Sequence, residues 1–256
     1  MSIVLMYHAL YADNDISLID AEDLPYAVSV RDFTQQMELL RQYSVGLWSD
    51  STQPDIIITF DDGHISNHDL AFPILKQFGF TAYCFITSDF IGKRRGFCES
   101  AHISTMAARG IIIGAHGQTH QFFDDLSVAA AEAELRACST TLKGITGSEV
   151  HCISFPGGRY NNDTLKLCDQ TGLKLMFGSK FGAATGAAPN SISGESGVIN
   201  RIAVRRNTSL AEFKRIISQD KKYYFTQTAK HWCKQTLKRV VGNKLYHGLY
   251  KLLSRR

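Results

Sequence analysis

The run Ile56-Ile57-Ile58-Thr59-Phe60-Asp61-Asp62-Gly63 constrains this chain more than any other stretch. Three β-branched residues followed by Thr and Phe form a short continuous apolar run, the signature of a strand covered on both faces, and two carboxylates stand where it stops. Asp is scarce in strands, and adjacent like charges raise one another's pKa. The pair therefore requires a cation or strong hydrogen-bond donors beside it, unless the stretch is only a turn with Asp-Gly at its tip.

A second apolar run, Ile111-Ile112-Ile113, precedes His116-Gly117-Gln118-Thr119-His120. Two imidazoles four residues apart face the same way on a helical turn, and two His with one carboxylate leave positions open on a divalent metal for water and substrate. Asp62, His116 and His120 are thus candidate ligands. A third stretch, Ile153 to Phe155, ends in Pro156-Gly157-Gly158-Arg159-Tyr160, where the two Gly let backbone N–H groups approach a bound ligand closely.

With all three stretches in view, the sequence resembles the polysaccharide deacetylase family, also called the NodB-homology or carbohydrate esterase 4 fold. Its Thr-Phe-Asp-Asp-Gly and His-x-x-x-His motifs match in order, and the resemblance covers roughly Ile3 to Ile217. It implies a distorted (β/α)7 barrel in which Asp61 is the general base and Asp62, His116 and His120 hold the metal. The implied reaction removes the N-acetyl group of an acetylated amino sugar in a glycan or lipid-linked glycan precursor. Pro156, Gly157, Gly158 and Tyr160 would line the substrate, with a backbone N–H near Gly157 facing the oxyanion.

Two features depart from the family pattern. The family often has Arg two residues before the third-motif Pro, where this chain has Ser154, and its late His, in a Leu-x-His setting, has no clear counterpart. Arg201 and Arg159 compete to supply the missing positive charge beside Asp61. His8, just after the first strand, is the first candidate for the missing proton donor and protonated Asp61 the second, although a lone His there also reads as a hydrogen-bonded structural residue. Zinc is the metal that the ligand types favour, and cobalt, nickel, manganese or iron(II) also suit them. A non-haem iron oxygenase shares the ligand set but leaves Asp61 without a task. The reading from a different class is a catalytically silent glycan-binding or membrane-associated scaffold on the same barrel.

Strand and helix signals alternate along the chain, which points to parallel βα units with their chemistry at the C-terminal strand ends. Expected strands are Ile3 to Met6, Ile56 to Phe60, Thr81 to Ile86, Ile111 to Gly114, His151 to Ser154, Lys174 to Phe177 and Ile199 to Val204. Expected helices carry Phe33, Met37 and Leu40 after a Ser29/Asp32 capping box, or run Leu70 to Phe78, Ser127 to Lys143 ending at Gly144, Asn162 to Thr171, and Leu210 to Ile217. The segment Gly182 to Gly197 reads as a long loop, either mobile or a lip of the site. Six scattered cysteines without a Cys-x-x-Cys pair suit buried thiols better than disulfides or a zinc knuckle. His64, His68 and His102 carry little information, and His151 is expected at the opposite end of the barrel.

Charge divides the chain. Residues 1–220, the expected catalytic barrel, carry −6, whereas residues 221–256 hold ten Lys or Arg and no acid. Leu237, Val241, Leu245, Leu249 and Leu252 recur there at helical spacing, so the tail reads as a basic amphipathic helix for an anionic membrane surface or for packing on the barrel. Nucleic acid is not expected as a partner. No apolar run reaches the ~18 residues of a membrane span, and Ser2 to Met6 is too short for a signal-peptide core. A cytoplasmic location, peripheral at the inner membrane face, is the corresponding expectation.

Overall fold

The computed structural model describes residues 2–12, 15–49, 53–183 and 197–229. It divides into two compact units, residues 1–214 and 215–256, a boundary a few residues before the change in charge at 221. In the first unit the strands are β1 (Ile3–Tyr7), β2 (Leu10–Tyr11), β3 (Val28–Ser29), β4 (Ile56–Phe60), β5 (Tyr83–Ile86), β6 (Ile112–Ala115), β7 (Cys152–Ser154), β8 (Leu175–Phe177), β9 (Val198–Ile199) and β10 (Ile202–Ala203). All but β2 and β3 form one sheet in the order β10-β1-β4-β5-β6-β7-β8-β9, and every pairing in it is parallel. β9 and β10 are two halves of one extended run, the first pairing with β8 and the second with β1, so this run bridges the seam of a curled β/α barrel. Seven extended runs thus appear, as the alternation of signals predicts. The expected seventh strand is split at Asn200-Arg201, where the backbone leaves β8 for β1.

Helices α1 (Val30–Leu40), α2 (Phe72–Phe78), α3 (Ser100–Ala108), α4 (Val128–Thr146) and α5 (Asn162–Gln170) join successive strands. The α1 start is set by Ser29, whose hydroxyl accepts from the Asp32 N–H at 3.0 Å, and the helix buries Phe33, Gln36, Met37 and Leu40. Before α2 the chain makes a π-type turn over Asn67–Ala71, so the expected helix from Leu70 has an irregular first part. α4 runs through Gly144, at a helix-interior cost of roughly 0.5–1 kcal/mol relative to Ala, and stops at Gly147, whose φ of 71° closes the helix. α3 carries no clear sequence signal, since its weakly segregated faces leave no stripe. α6 (Leu210–Ile217) begins where expected, with the Ser209 hydroxyl accepting from the Glu212 N–H at 3.1 Å.

Alternation along β4 places the site. Ile57 belongs to a core cluster with Val4, Tyr83, Phe85, Cys152, Phe177 and Ile199, and Thr59 and Asp61 follow it at a period of two. Asp61 therefore continues the inward row at the C-terminal rim. At the other end, Trp48, Tyr83, His151, Cys152 and Leu175 line a cavity of about 380 Å³, which puts His151 away from the rim as expected. Cys84, Cys98, Cys138, Cys152 and Cys168 are free and buried, in line with core thiols, while Cys233 lies outside the described residues. Most of the 182–197 loop and residues 230–256 also lie outside them, and no described helix is long and apolar enough to cross a membrane.

Candidate metal centre and its carboxylate pair

Asp61 and Asp62 leave β4 in opposite directions because the backbone turns over between them. Asp61 is still extended in register, its N–H donating to the Tyr7 carbonyl at 3.0 Å. Asp62 has φ 73°, a left-handed conformation that costs a non-glycine residue on the order of 1–3 kcal/mol and persists only where the surroundings impose it. Gly63 follows at φ 82°, and a Cβ there would stand 2.8 Å from Ile86 Cδ1, so the glycine of Asp-Asp-Gly is a steric requirement of the turn.

Asp61 is 3 % exposed, and its charge is met by one buried cation. Arg201 donates from Nη1 to Oδ1 and from Nη2 to Oδ2, both at 2.7 Å. Its remaining N–H groups go from Nη2 to Ser154 Oγ at 2.7 Å, from Nη1 to Thr59 Oγ1 at 3.1 Å and from Nε to the Gly178 carbonyl at 2.7 Å. All five guanidinium donors are thus satisfied, which is the condition for burying the group at 1 % exposure. Ser154 relays the contact by donating to Asp61 Oδ2 at 3.0 Å. Burial pushes the Asp61 carboxyl upward, but the charges of Arg201 and His116 outweigh it and hold the group below the usual carboxylate range.

Arg201 therefore occupies the space beside Asp61 that the short side chain of Ser154 leaves open. Arg159, the competing candidate, is corrected by the structure. It binds Asp124 at 3.0 Å and Asp125 at 2.5 Å, with its guanidinium 4.6 Å from the Phe122 ring. Two exposed acids in the loop after His120 attract it, whereas the Asp61 cavity is already filled.

On the other side of the turn, Asp62 Oδ1 stands 3.1 Å from His116 Nε2 and 3.2 Å from His120 Nε2. The His116 Nδ1 lies 2.7 Å from the Ser154 carbonyl, a partner that can only accept. That bond fixes the proton on Nδ1 of the neutral ring and turns the Nε2 lone pair toward Asp62. A carboxylate oxygen and imidazole lone pairs then point at one another, and Asp62 Oδ1 is buried with no hydrogen-bond partner. Such a set is repulsive unless a proton or a cation lies between. The carboxylates raise the His116 pKa despite burial, which is the apo form of the same demand. One ligand atom from each of Asp62, His116 and His120 falls within 4.8 Å of the others, so the donor types and spacing fit a divalent metal. The centre opens to solvent through His120, 34 % exposed, and Asp62, 12 % exposed.

His116 and His120 do not share a helical turn, contrary to the reading from their spacing. The chain after β6 is a loop, and His120 has φ 67°, which swings its ring back to 5.1 Å from that of His116. Glu134 on α4 shapes this loop by accepting from the Gln118 and Thr119 N–H groups at 2.7 and 2.9 Å. Sequence reasoning missed Glu134, which is not part of the motif.

The remaining candidates divide. His8 sits on the rim, its ring 4.6 Å from that of Tyr26, and its buried Nδ1 has no hydrogen-bond partner. Burial lowers its pKa, partly opposed by the charges of Asp62 and Asp61. Pro156–Gly158 forms a 3₁₀ turn beside Ser154, with Phe155 4.9 Å from Tyr160. Both Gly have positive φ, but the close neighbours they admit are Phe122 at 2.8 Å from a Gly157 Cβ and the Ser179 hydroxyl against Gly158. Their smallness is thus used in packing, and the Gly158 N–H is spent on the Phe155 carbonyl at 2.8 Å. His64 is structural, lying 2.8 Å from the Ser66 hydroxyl and 3.0 Å from the Leu18 carbonyl.

A curled parallel β/α barrel with two carboxylates and two imidazoles at its C-terminal rim defines the class of protein. Residues 49–176, half of the chain, match the family model described as polysaccharide deacetylase, and the chain belongs to that family. It is 28% identical over 184 residues to the protein YxkH of Bacillus subtilis (strain 168), covering 71% of this chain and 66% of that one. It is 26% identical over 144 residues to an uncharacterised 30.6 kDa protein of Geobacillus stearothermophilus, covering 56% of this chain and 52% of that one. The chain thus spans between about half and two thirds of the length of these curated relatives. Among solved structures it resembles the Streptococcus pyogenes deacetylase PplD in complex with acetate, with TM-score 0.71 and 21% identity over 84% of this chain and 97% of that one. It also resembles BC0361, a polysaccharide deacetylase from Bacillus cereus, with TM-score 0.71 and 23% identity over 84% and 68% of the two chains. At these identities the likeness is one of fold.

Proposed function

We propose that this protein is a metal-dependent hydrolase that removes the N-acetyl group of an acetylated amino sugar in a glycan or glycan precursor. The observation that carries the reading is the convergence of Asp62, His116 and His120 lone pairs on one point, beside a separate carboxylate that no ligand role consumes. Asp62, His116 and His120 would hold a divalent ion, most simply zinc, which supplies Lewis acidity and makes a nearby water easier to deprotonate.

The chain's own groups do the rest. Asp61 is kept ionised by Arg201 and accepts the proton of the attacking water. Ser154 and Arg201 hold its oxygens in place as the proton arrives, so the acceptor is positioned before substrate binds. His8, with an unpartnered Nδ1 on the same rim and a lowered pKa, is a strong acid once protonated and gives the departing amine its proton. Substrate enters past His120, the exposed edge of the centre.

The test is acetate release from chitooligosaccharides and a lipid-linked N-acetyl sugar by zinc-loaded protein, with Asp61→Asn as control. Release that is abolished by chelation and by Asp61→Asn supports the reading. No release on any acetylated glycan with zinc fully bound supports instead the silent glycan-binding scaffold. A cytoplasmic site of action at an anionic membrane face, reached through residues 221–256, is part of the same proposal and rests on the +10 charge of that segment. Flotation with anionic liposomes, comparing the full chain with one ending at Asp220, checks it, and unchanged binding after truncation ends it.

A further inference from the structure

The rim next to His8 carries two guanidinium groups that the proposed chemistry does not use. Arg205 and Arg206 follow β10 directly, and the Val204 N–H donates to the Met6 carbonyl at 2.9 Å, so both stand at the C-terminal end of the barrel beside His8. The Arg205 guanidinium carbon lies 4.9 Å from the Tyr26 ring centre, and Tyr26 lies in turn 4.6 Å from the His8 ring. Arg206 is 5.2 Å from the Tyr11 ring centre, and its N–H donates to the Pro25 carbonyl at 3.0 Å. Tyrosine rings therefore hold both cations in place, Arg205 also donating from Nη2 to the Tyr26 hydroxyl at 3.4 Å, and both residues are exposed.

What distinguishes this pair is the lack of an acid. Among the described residues no carboxylate pairs with Arg205 or Arg206, although the rim is rich in acids. Asp20, Glu22 and Asp23 are all taken by Arg94, and Asp124 and Asp125 by Arg159. Arg205, two ring contacts from His8 through Tyr26, and Arg206, next to it in the chain and held on Tyr11, are exposed and lack an acid partner, which is the chemistry that a carboxylate or phosphate oxyanion takes. Resting on the deacetylase reading, we propose that the substrate carries an anionic group on the acetylated sugar or the unit next to it, and that Arg205 and Arg206 select for it.

The experiment measures acetate release by the zinc-loaded full chain on three probes. These are neutral chitotetraose, an oligosaccharide alternating N-acetylglucosamine with glucuronate, and N-acetylglucosamine 1-phosphate. The expected result is a kcat/KM at least tenfold higher on one anionic probe than on chitotetraose, and which probe it is separates carboxylate from phosphate. Arg205→Gln/Arg206→Gln should lower the anionic-to-neutral ratio of kcat/KM at least tenfold, chiefly through KM, and the double lysine variant should recover part of it. A wild-type preference for chitotetraose, or an unchanged ratio in the glutamine variant, overturns the proposal. If no probe is hydrolysed, the deacetylase reading fails separately, and calorimetric binding of the same probes decides. Anionic-probe affinity lost in the glutamine variant supports the pair's role, and affinity equal in both proteins, or absent from both, overturns it.

Discussion

Asp61 and Asp62 are neighbours in the chain, yet their surroundings are opposites. Asp61 faces a closed polar network in which a single arginine spends all five donors on oxygens of four residues from the ends of β4, β7 and β8. Asp62 faces two imidazoles and has an oxygen that no donor satisfies. One carboxylate has a complete set of protein partners and the other an incomplete one. In the proposed function, this difference separates an acid kept ionised for proton transfer from an acid kept available for an ion. It is produced by one backbone reversal at Asp62 and Gly63.

Substitutions that exchange or abolish this difference test it. The largest effect belongs to Asp61→Asn, which should lower kcat for deacetylation by about 10³–10⁴ while zinc content stays at one per chain; general-base removal elsewhere has costs of about 10²–10⁴. Zinc lost together with activity would show that the two carboxylates are not functionally separate. Arg201→Met should come next, destabilising the fold by about 3–5 kcal/mol because Asp61 is left buried and charged without its partner. Urea denaturation measures it, and a change under ~1 kcal/mol would mean that water replaces the guanidinium. The pH dependence has a definite sign. Asp61 is depressed in the folded state, so its contribution is present above the unfolded pKa near 4 and is lost as pH falls through the lower folded value. Arg201→Met should flatten that acid limb of stability.

His8→Gln should lower kcat by about 10² with little change in zinc affinity, and should remove the fall in activity at high pH that a protonated donor of lowered pKa imposes. An intact high-pH limb would pass the donor role to protonated Asp61. The smallest effect is expected at Arg159→Ala, under ~1 kcal/mol in stability, since its acids are on the surface.

These two environments were not equally legible in the sequence. The side proposed to hold the ion is local: β4 and β6 each end in the residues that form it, and apolar runs followed by Asp-Asp-Gly or His-x-x-x-His announce it. Even there the spacing misleads about mechanism, because His120 reaches His116 through a left-handed loop residue and not through a helical turn. The Asp61 side is non-local. Arg201 is 140 positions from Asp61 and Ser154 is 93 away, and no motif joins them. Two candidate arginines could be proposed from charge alone, but choosing between them needed the break between β9 and β10 and the exposed acids that capture Arg159. The strand count was readable because buried parallel strands are unbroken apolar runs, whereas α3 has weakly separated faces and gave no signal.

The central claim is that Asp62 holds an ion and Asp61 does not, and zinc titration by isothermal calorimetry tests it most directly on wild type, Asp61→Asn and Asp62→Asn. The account predicts one equivalent bound by wild type and by Asp61→Asn with affinities within about tenfold, and a loss of at least a hundredfold in Asp62→Asn, within the range that lost metal-site groups cost. Equal zinc affinity in Asp62→Asn and wild type, or loss in Asp61→Asn alone, would contradict it.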